Sequence, residues 1–316
     1  MEKGIPIAPE RAARYWDLFV NRLAHNVQST KPGENGKHYY YRPKQRRRLT
    51  LETIRQHLAG RITVALYAIN PKTQRSKWVA IDADYNNAVE DLLKLQWELH
   101  QDGVEAALEK SRRGAHLWIF ADKPLLARDC RVYIYNLARR MRVPVKGGGG
   151  LAEGIEVFPR QDELGQGEFG NAIRGPLGVH RATGKRYWFY GADYSLDAQI
   201  GYLTQLKKIT EQELTGFVAG VEMPEEFQPK PRVVLPPYNP NRHEFRILDH
   251  LGAVRPRSGN YWTRCPSCAL QGRDRSGDNL SICIADPRKY KCWAGCSKEM
   301  IRAAVGCPVR GSRIAS

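Results

Sequence analysis

The 316-residue chain has no long apolar run and is comparatively poor in acidic side chains. No stretch approaches the roughly 20 consecutive apolar residues that a membrane-spanning helix needs, and the N-terminus lacks the apolar core of a signal peptide. We therefore expect a cytoplasmic protein with no membrane partner. Asp and Glu number 33 against 50 Lys and Arg, a net charge of +17, which favours a polyanionic partner such as nucleic acid.

The length and the proline distribution predict two or three modules. At 316 residues the chain exceeds one typical domain, and its 42% hydrophobic and 26% charged content is ordinary for a globular protein. Six prolines lie between Pro224 and Pro240, which disfavours helix and central strand and predicts an extended connection. We predict a large domain over residues 1–222, a linker over 223–240 and a small domain over 241–316.

Helical and strand-like patterns are mixed in the large domain, which predicts an α+β fold. The predicted elements are, in chain order, a helix at 9–27, a helix from residue 49, strands at 62–68 and 77–83, a helix at 87–101, a hairpin at 105–120, a helix at 125–141, a strand at 155–158 and helices at 196–208 and 211–219. In the helix at 87–101 we expect Val89, Leu92, Leu93 and Leu99 to form the buried face. The order implies a sheet with helices packed on one face.

Two aspartates end the apolar run at 78–81. In a strand, Asp82 and Asp84 project from the same face because they are two positions apart. Like charges held this close repel each other unless a cation lies between them, and hard oxygen ligands of this kind suit Mg²⁺ or Mn²⁺. The motif predicts a divalent-metal site; aspartates that cap a turn into the next helix would give the same pattern.

A second polar motif follows about thirty residues later, in the turn of the predicted hairpin. Ser111 and His116 flank this turn, which contains Gly114. A serine hydroxyl, backbone N–H groups near the glycine and an imidazole donor together favour binding of phosphate oxygens. The glycine tract at 147–150 lacks the Lys-Ser/Thr and helix start of a P-loop, so we interpret it as a flexible loop.

The ordered set of motifs resembles a known family. Asp82-x-Asp84, then Ser111-x-x-Gly114-x-His116, then Glu156 in the run at 154–159 are similar to the three motifs of the archaeo-eukaryotic primase superfamily. The resemblance is closest to the primase-polymerases of bacterial mobile elements, conflict systems and CRISPR-associated loci, and it covers roughly residues 14–214. It implies a primase-polymerase catalytic core built on an RRM-like sheet.

The resemblance also implies a role for each motif. Asp82, Asp84 and Glu156 would hold two Mg²⁺ or Mn²⁺ ions, with Glu153 as a rival of Glu156. The nucleotide-binding candidates are Ser111 and His116 on the β- and γ-phosphates, Arg112, Arg113 and Gly114 in the same turn, and Asn171, Arg174 and, more weakly, Arg160 on the pocket wall.

The predicted function is a template-dependent nucleotidyltransferase that joins NTP or dNTP substrates on single-stranded DNA. Three alternatives stay open: a primer-dependent gap-filling or end-joining polymerase, a nonenzymatic single-strand-binding protein, and a nuclease. The cradle of Ser111 and His116 argues against the nuclease, because phosphodiester cleavage has no triphosphate to hold. A helicase or another replication protein is a further candidate partner that the sequence does not specify.

The segment at 31–48 is a candidate template-binding surface. It contains seven basic residues and one acidic residue, interleaved with the aromatic run at 39–41. Stacking of a base on an aromatic ring is worth about 1–3 kcal/mol, and Lys and Arg contact phosphates. The candidates are Tyr40, Lys44, Arg46, Arg47 and Arg48, and a solvated loop is the competing interpretation.

Two cysteine pairs in the small domain predict a zinc site. Cys265-x-x-Cys268 and Cys292-x-x-x-Cys296 are separated by 23 residues, which suits four tetrahedral thiolate ligands. Cys283 is the main rival ligand, and Cys130 and Cys307 read as lone thiols.

The region at 261–305 resembles the zinc ribbon of bacterial replicative primases, although a cysteine replaces the histidine of that pattern and the last pair is one residue wider. Residues 228–316 contain sixteen Lys and Arg against six Asp and Glu, so we predict that this domain binds nucleic acid.

Overall fold

The computed structural model describes residues 7–33, 36–43, 48–165, 167–228, 238–239, 245–272, 274 and 276–308. The chain divides into two compact units, residues 1–229 and 230–316. This division falls inside the proline-rich segment, and the predicted domain limits at 222 and 240 stay predictions. Within the described ranges, no helix combines the length and the apolar character that crossing a membrane requires.

The large unit contains two antiparallel four-stranded sheets. Its strands are β1 (His25–Gln28), β2 (Tyr40–Tyr41), β3 (Val64–Tyr67), β4 (Arg75–Ala83), β5 (Ala107–Lys110), β6 (Ala115–Leu126), β7 (Glu156–Phe158) and β8 (Ala172–Arg174). Its helices are α1 (Pro9–Phe19), α2 (Leu51–Leu58), α3 (Ala88–Gln101), α4 (Ala127–Arg140), α5 (Leu196–Gln205) and α6 (Glu211–Val218). The central sheet has the order β5-β6-β4-β7, and the flanking sheet has the order β2-β1-β3-β8.

Strand β4 is buried on both faces, so its alternate residues enter two different cores. Val79 and Ile81 pack with residues of α3, α4 and α6. Trp78 and Ala80 point the other way, into a core shared with the flanking sheet and with α1, α2 and α5. The predicted α+β class is confirmed, but the prediction of helices on one face is wrong, because helices contribute to the cores on both sides of the central sheet.

Helix α1 ends at Phe19, well before its predicted end at residue 27, and the residues that follow include strand β1. Asn21 explains the difference. Its side-chain amide donates to the carbonyl of Ala68 at 2.9 Å, and its side-chain oxygen accepts from the backbone N–H of Lys77 at 2.7 Å. The chain after α1 is therefore bonded to the end of β3 and the start of β4, and it leaves the helical path to reach them.

Helix α3 buries a partly different stripe from the predicted one. Leu92 and Leu99 are fully buried, as expected, and Leu95 lies between them. Val89 and Leu93, which were predicted to be buried, are 42% and 48% exposed. The predicted buried face is therefore wrong at these two positions. The helices predicted at 125–141, 196–208 and 211–219 correspond to α4, α5 and α6.

The small unit is built on a third antiparallel sheet. Its strands are β9 (Arg255–Arg257), β10 (Asn260–Thr263), β11 (Leu280–Cys283) and β12 (Tyr290–Cys292), in the order β12-β11-β10-β9, and its helices are α7 (Pro266–Leu270) and α8 (Lys298–Ala304). Ile247, Leu280, Ile282 and Ile301 pack with four cysteines in the core of this unit. A short 3₁₀ helix, Ile247–His250, precedes β9.

Candidate active site and metal centres

Four polar side chains form one row across the central sheet. The pairing of β4 places Asp82 opposite His116 on β6 and opposite Glu156 on β7. The pairing of β5 with β6 places Glu109 opposite His116. Directly opposed residues of antiparallel strands share a face of the sheet, so Glu109, His116, Asp82 and Glu156 are neighbours in that order.

The hairpin turn places Ser111 next to the end of β4. Its backbone N–H donates to the carbonyl of Gly114 at 2.9 Å, and its hydroxyl oxygen accepts from the backbone N–H of Gly114 at 3.0 Å. A Cβ atom at position 114 would lie 2.0 Å from the carbonyl oxygen of Ala83, so only glycine allows this close approach. The predicted hairpin is confirmed, and the turn packs directly against the strand that leads to Asp84.

The two aspartates have different partners. Asp84 accepts a hydrogen bond from the hydroxyl of Ser111 at 3.3 Å and forms an ion pair with Arg113. Oδ1 of Asp82 lies 3.3 Å from Nε2 of His116 but makes no hydrogen bond, and it is a buried atom without a hydrogen-bond partner among the described residues. Its charged neighbour is His116, but no hydrogen-bond donor in the described part of the chain is aligned with this buried oxygen, which leaves it able to accept a further positive charge.

Glu156 borders the same acidic pocket as the aspartates. This pocket has a volume of about 390 Å³, and its lining includes Asp82, Asp84, Glu153 and Glu156. Both oxygens of Glu156 carry cationic partners, Lys146 on Oε1 and Arg160 on Oε2, the latter at 2.9 Å.

The carboxylates of Asp82, Asp84 and Glu156 suit a hard cation, but their oxygens are not yet gathered into a compact set of ligands. Among the described residues, only the four cysteines of the small unit form a group whose ligand atoms all lie within 4.8 Å of one another. Asp84 and Glu156 are instead each bonded to a basic side chain. Cation binding at these carboxylates therefore competes with Arg113 and Lys146. Arg160, a predicted nucleotide contact, is likewise paired with Glu156.

A larger and predominantly basic pocket lies on the other side of the two aspartates. Its volume is about 660 Å³, and Asp82 and Asp84 border it as well. The basic and polar residues of its lining include Lys37, His38, Tyr40, Ser111, Arg112, Arg113, His116, Arg174 and His180. A cavity with this lining suits a compact polyanion such as a triphosphate.

Glu109 is the functional-site residue that the sequence reasoning missed. It is completely buried, and Oε2 accepts from Nδ1 of His116 at 2.8 Å and from Nε1 of Trp118 at 3.1 Å. Oε1 accepts from Nη2 of Arg174 at 2.7 Å. One carboxylate therefore holds two basic residues of the larger pocket, one from each sheet. The signal was present: a turn closing between Lys110 and Ala115 places Glu109 opposite His116, on an inward-facing position.

The charges in this network stabilise one another. Burial alone would lower the pKa of His116, but the carboxylates of Glu109 and Asp82 outweigh it and raise that pKa to about 9. Burial would raise the pKa of Glu109, yet the positive charges of Arg174 and His116 hold it below its usual value. At neutral pH His116 is therefore an imidazolium and Glu109 a carboxylate.

The glycine-rich segment that contains Asn171 and Arg174 is shaped by packing. Asn171 is hydrogen-bonded to the side chain of Gln161. A Cβ atom at Gly178 would lie 1.9 Å from His57, and one at Gly175 would lie 2.7 Å from the hydroxyl of Tyr15. These two glycines allow the backbone to approach the buried side chains of Tyr15 on α1 and His57 on α2.

His57 is the centre of that packing and is neutral. Burial lowers its pKa to about 4. Nδ1 accepts from the backbone N–H of Val64 at 3.2 Å, so Nε2 carries the proton and donates to the carbonyl of Pro176 at 3.0 Å. This histidine joins α2, β3 and the segment after β8.

The candidate template-binding segment is described in part. Tyr40 borders the larger pocket from the edge strand β2, while the rings of Tyr39 and Tyr41 are exposed and 6.1 Å apart. Arg48 is exposed. Lys44, Arg46 and Arg47 lie outside the described residues.

The four cysteines of the small unit meet the requirements of zinc. Cys265 and Cys268 lie at the start of α7, and Cys292 ends β12, four residues before Cys296. Sγ of Cys268 lies 3.6 Å from that of Cys292 and 3.3 Å from that of Cys296, far longer than a disulfide and close to the roughly 3.8 Å between ligands of a tetrahedral site with 2.3 Å Zn–S bonds. The cluster is buried and consistent with a zinc ribbon.

The other cysteines lie apart from this cluster. Cys283, the rival ligand, belongs to β11. Cys130 is buried in α4, and Cys307 is half-buried after α8.

Comparisons with known proteins agree with this picture of the large unit. Residues 14–217 match the model of the TOTE conflict system archaeo-eukaryotic primase domain. A search of curated proteins found no match.

Two solved structures are similar to this chain at low sequence identity. The polymerase domain of Ligase D from Mycobacterium tuberculosis, in complex with DNA, is 13% identical over 67% of this chain and 87% of that one, with a TM-score of 0.31. The catalytic domain of primase RepB′, in complex with initiator DNA, is 9% identical over 62% of this chain and 93% of that one, with a TM-score of 0.32. Since the family model covers well over half of the sequence, the chain belongs to the archaeo-eukaryotic primase domain family of TOTE conflict systems.

Proposed function

We propose that this chain is a DNA primase-polymerase, a nucleotidyltransferase that makes or extends primers on single-stranded DNA. The observation that carries the proposal is the row of Glu109, His116, Asp82 and Glu156, because it joins an acidic pocket to a basic one across a single sheet. Nucleotidyl transfer needs both: carboxylates for divalent cations and donors for the triphosphate.

Asp82, Asp84 and Glu156 are the proposed ligands of Mg²⁺ or Mn²⁺. When bound, such ions stabilise the attacking and leaving oxygens of the transfer. The buried Oδ1 of Asp82, which accepts no hydrogen bond from the described residues, supports this assignment. Glu156 fits better than Glu153 because its position on β7 is directly opposite Asp82. Lys146 and Arg113 then have a second role, since each neutralises a ligand carboxylate until a cation replaces it.

His116 and Arg174 are the proposed phosphate-binding groups, together with Arg112, Arg113 and Ser111. All five border the basic pocket next to the aspartates. The imidazolium of His116 donates from Nδ1 to Glu109, so Nε2 is the nitrogen that faces Asp82 and the reacting groups. Positioning and charge neutralisation, rather than covalent chemistry, are the work these residues would do.

The remaining parts of the proposal concern the template. Tyr40, Arg48, Lys44, Arg46 and Arg47 would contact the single-stranded DNA template, and the small unit would hold Zn²⁺ and bind nucleic acid. A cytoplasmic location would follow from these substrates and stays a prediction.

The test uses purified protein, unprimed single-stranded DNA, labelled nucleotides and Mg²⁺ or Mn²⁺. We expect labelled oligomers from the wild type, none from Asp82→Ala/Asp84→Ala, and wild-type yields from Glu163→Ala, which removes an exposed carboxylate elsewhere. Extension of supplied primers alone would select the gap-filling or end-joining polymerase. DNA binding with no incorporation under any condition would refute the enzymatic proposal and favour the nonenzymatic binding protein.

A further inference from the structure

The sheet of the small unit has one buried face and one outward face. Tyr261, Ile282 and Tyr290 are aligned across β10, β11 and β12, and this row belongs to the core around the cysteines. The neighbouring row alternates to the other face. It consists of Arg255, Trp262, Ser281 and Lys291, aligned directly across all four strands.

Two tryptophans cover the centre of this outward face. Trp262 and Trp293 are stacked, with an angle of 14° between their planes and 6.2 Å between their ring centres. Trp293 is 61% exposed, and Trp262 is half-buried. Each indole N–H is bonded, Trp262 to the carbonyl of Arg257 at 3.3 Å and Trp293 to the hydroxyl of Ser281 at 3.0 Å. The rings are therefore fixed in orientation, and Trp293 stays largely exposed.

Basic side chains surround the two rings. Nζ of Lys291 lies 4.6 Å from the centre of the Trp293 ring. Arg255 and Arg257 are exposed on the edge strand β9, at the other side of the tryptophans. Among the strand residues that the structure describes, no outward position of this sheet holds Asp or Glu. The strands of this face thus combine aromatic planes with three basic side chains and no acidic one.

Single-stranded nucleic acid is the partner that this combination fits. Unpaired bases stack on aromatic rings, and phosphates of the same strand contact Lys and Arg. A duplex offers phosphates but keeps the faces of its bases inside the stack. An acidic protein would satisfy the charges, but it would leave the two ordered indole faces without a matching group.

We propose that the outward face formed by Arg255, Arg257, Trp262, Lys291 and Trp293 binds single-stranded nucleic acid, with bases stacked on the two indoles. The proposal rests on the proposed template-binding role of the small unit and specifies its surface and its partner. It does not depend on the metal ligands of the large unit.

The experiment measures equilibrium binding of a labelled oligodeoxythymidine to the full-length chain without nucleotides or Mg²⁺. We expect Trp262→Ala/Trp293→Ala to weaken binding at least tenfold, the loss expected when one stacked base is removed. Trp97→Ala is the matched control, because Trp97 is 59% exposed on a helix of the large unit. The same variant should lose much less of its affinity for duplex DNA of equal length than of its affinity for the single strand.

A second variant guards against misfolding of the first. Arg255→Gln/Arg257→Gln/Lys291→Gln replaces only exposed side chains, and it should lower the salt dependence of binding by up to about 2 in the slope of log K against log salt. Zinc content measured on every variant reports whether the small unit is folded. Unchanged single-strand affinity in both variants, or equal losses for single strand and duplex, would overturn the proposal.

The same variants separate this inference from the proposed activity. If the wild type fails to incorporate nucleotides yet its binding depends on the tryptophans, the inference stands and the enzymatic proposal fails. If the wild type polymerises and both variants of the sheet bind single-stranded DNA as tightly as the wild type does, the inference alone fails.

Discussion

Glu109 is the residue whose substitution tests the site most directly. It is fully buried, and its two oxygens hold His116 and Arg174, the two basic groups that we place on the nucleotide. Glu109→Gln keeps the shape of the side chain and removes its charge. Arg174 then stays buried as a cation without its counterion, and the pKa of His116 falls because its strongest negative neighbour is gone.

The expected cost follows from the burial of these charges. Removing one partner of a buried ion pair typically destabilises a protein by about 3–5 kcal/mol, because the other charge is left uncompensated. For a unit of this size, each kcal/mol lowers the melting temperature by about 2–4 °C, so we expect a decrease of roughly 10 °C. Because Glu109 no longer positions His116 and Arg174, nucleotide binding should also weaken about 10- to 100-fold.

Two assays measure these effects separately. Urea denaturation followed by circular dichroism gives the change in the free energy of unfolding. Titration with a nonhydrolysable nucleoside triphosphate gives the dissociation constant without requiring turnover. In Glu109→Gln/Arg174→Gln both charges of the pair are absent, so part of the lost stability should return, with a coupling energy of at least about 1 kcal/mol.

The result that would refute this reasoning is specific. If Glu109→Gln changed the unfolding free energy by less than about 1 kcal/mol and left nucleotide affinity unchanged, the buried carboxylate would not organise the pocket. Recovery of stability in the double variant without recovery of nucleotide affinity is the expected pattern. We expect this pattern because uncharged side chains can replace the Glu109–Arg174 pair in the core, whereas nucleotide binding also needs the positive charge of Arg174.

Three further substitutions test other parts of the structure. Cys292→Ser should lower the zinc content below one per chain and weaken DNA binding, while a 1–222 fragment still extends primers; an inactive fragment would contradict independent domains. Gly114→Ala should abolish incorporation and destabilise the protein, because its Cβ meets the carbonyl of Ala83; wild-type activity would contradict this. His57→Gln should reduce the loss of stability on acidification. The pKa of His57 is about 4 in the folded protein and near 6.5 in the unfolded one, so the wild type loses stability as pH drops through this window, by about 2 kcal/mol between pH 6.5 and 5. An unchanged pH profile in the variant would exclude His57 as the source.

The hairpin and the zinc site were predictable from the sequence because both depend on short-range spacing. A turn of four residues fixes which residues of β5 and β6 face each other, so the positions of Ser111 and His116 followed from local pattern alone. In the same way, the short spacing within each cysteine pair brings its two thiols close together. The partnership of Glu109 with Arg174 did not follow, because it joins two sheets that are distant in sequence.

Helix α3 shows why burial could not be assigned from periodicity. Its apolar residues form two stripes at helical spacing, one through Leu92, Leu95 and Leu99 and another through Val89 and Leu93. Both satisfy the pattern of an amphipathic helix. The packing of the central sheet selects the first stripe and leaves the second exposed, and this choice is a property of tertiary structure. The end of α1 is similar, since the bonds of Asn21 to distant strands set it.

The row across the central sheet ties the candidate site to the stability of the fold. Side chains alternate along a strand, so a slip of one residue between β4 and β6 would turn one of these strands over and bring either Ile81 in place of Asp82 or Leu117 in place of His116 to the site. The backbone pairing that buries those apolar side chains therefore also fixes the polar row. Glu156 is the exception, because it lies on a strand of only three residues. Both carboxylate oxygens of Glu156 are also paired with basic side chains, those of Lys146 and Arg160. Adjustment on binding a metal ion is thus expected at Glu156 and Lys146, while Glu109, His116 and Asp82 keep their positions.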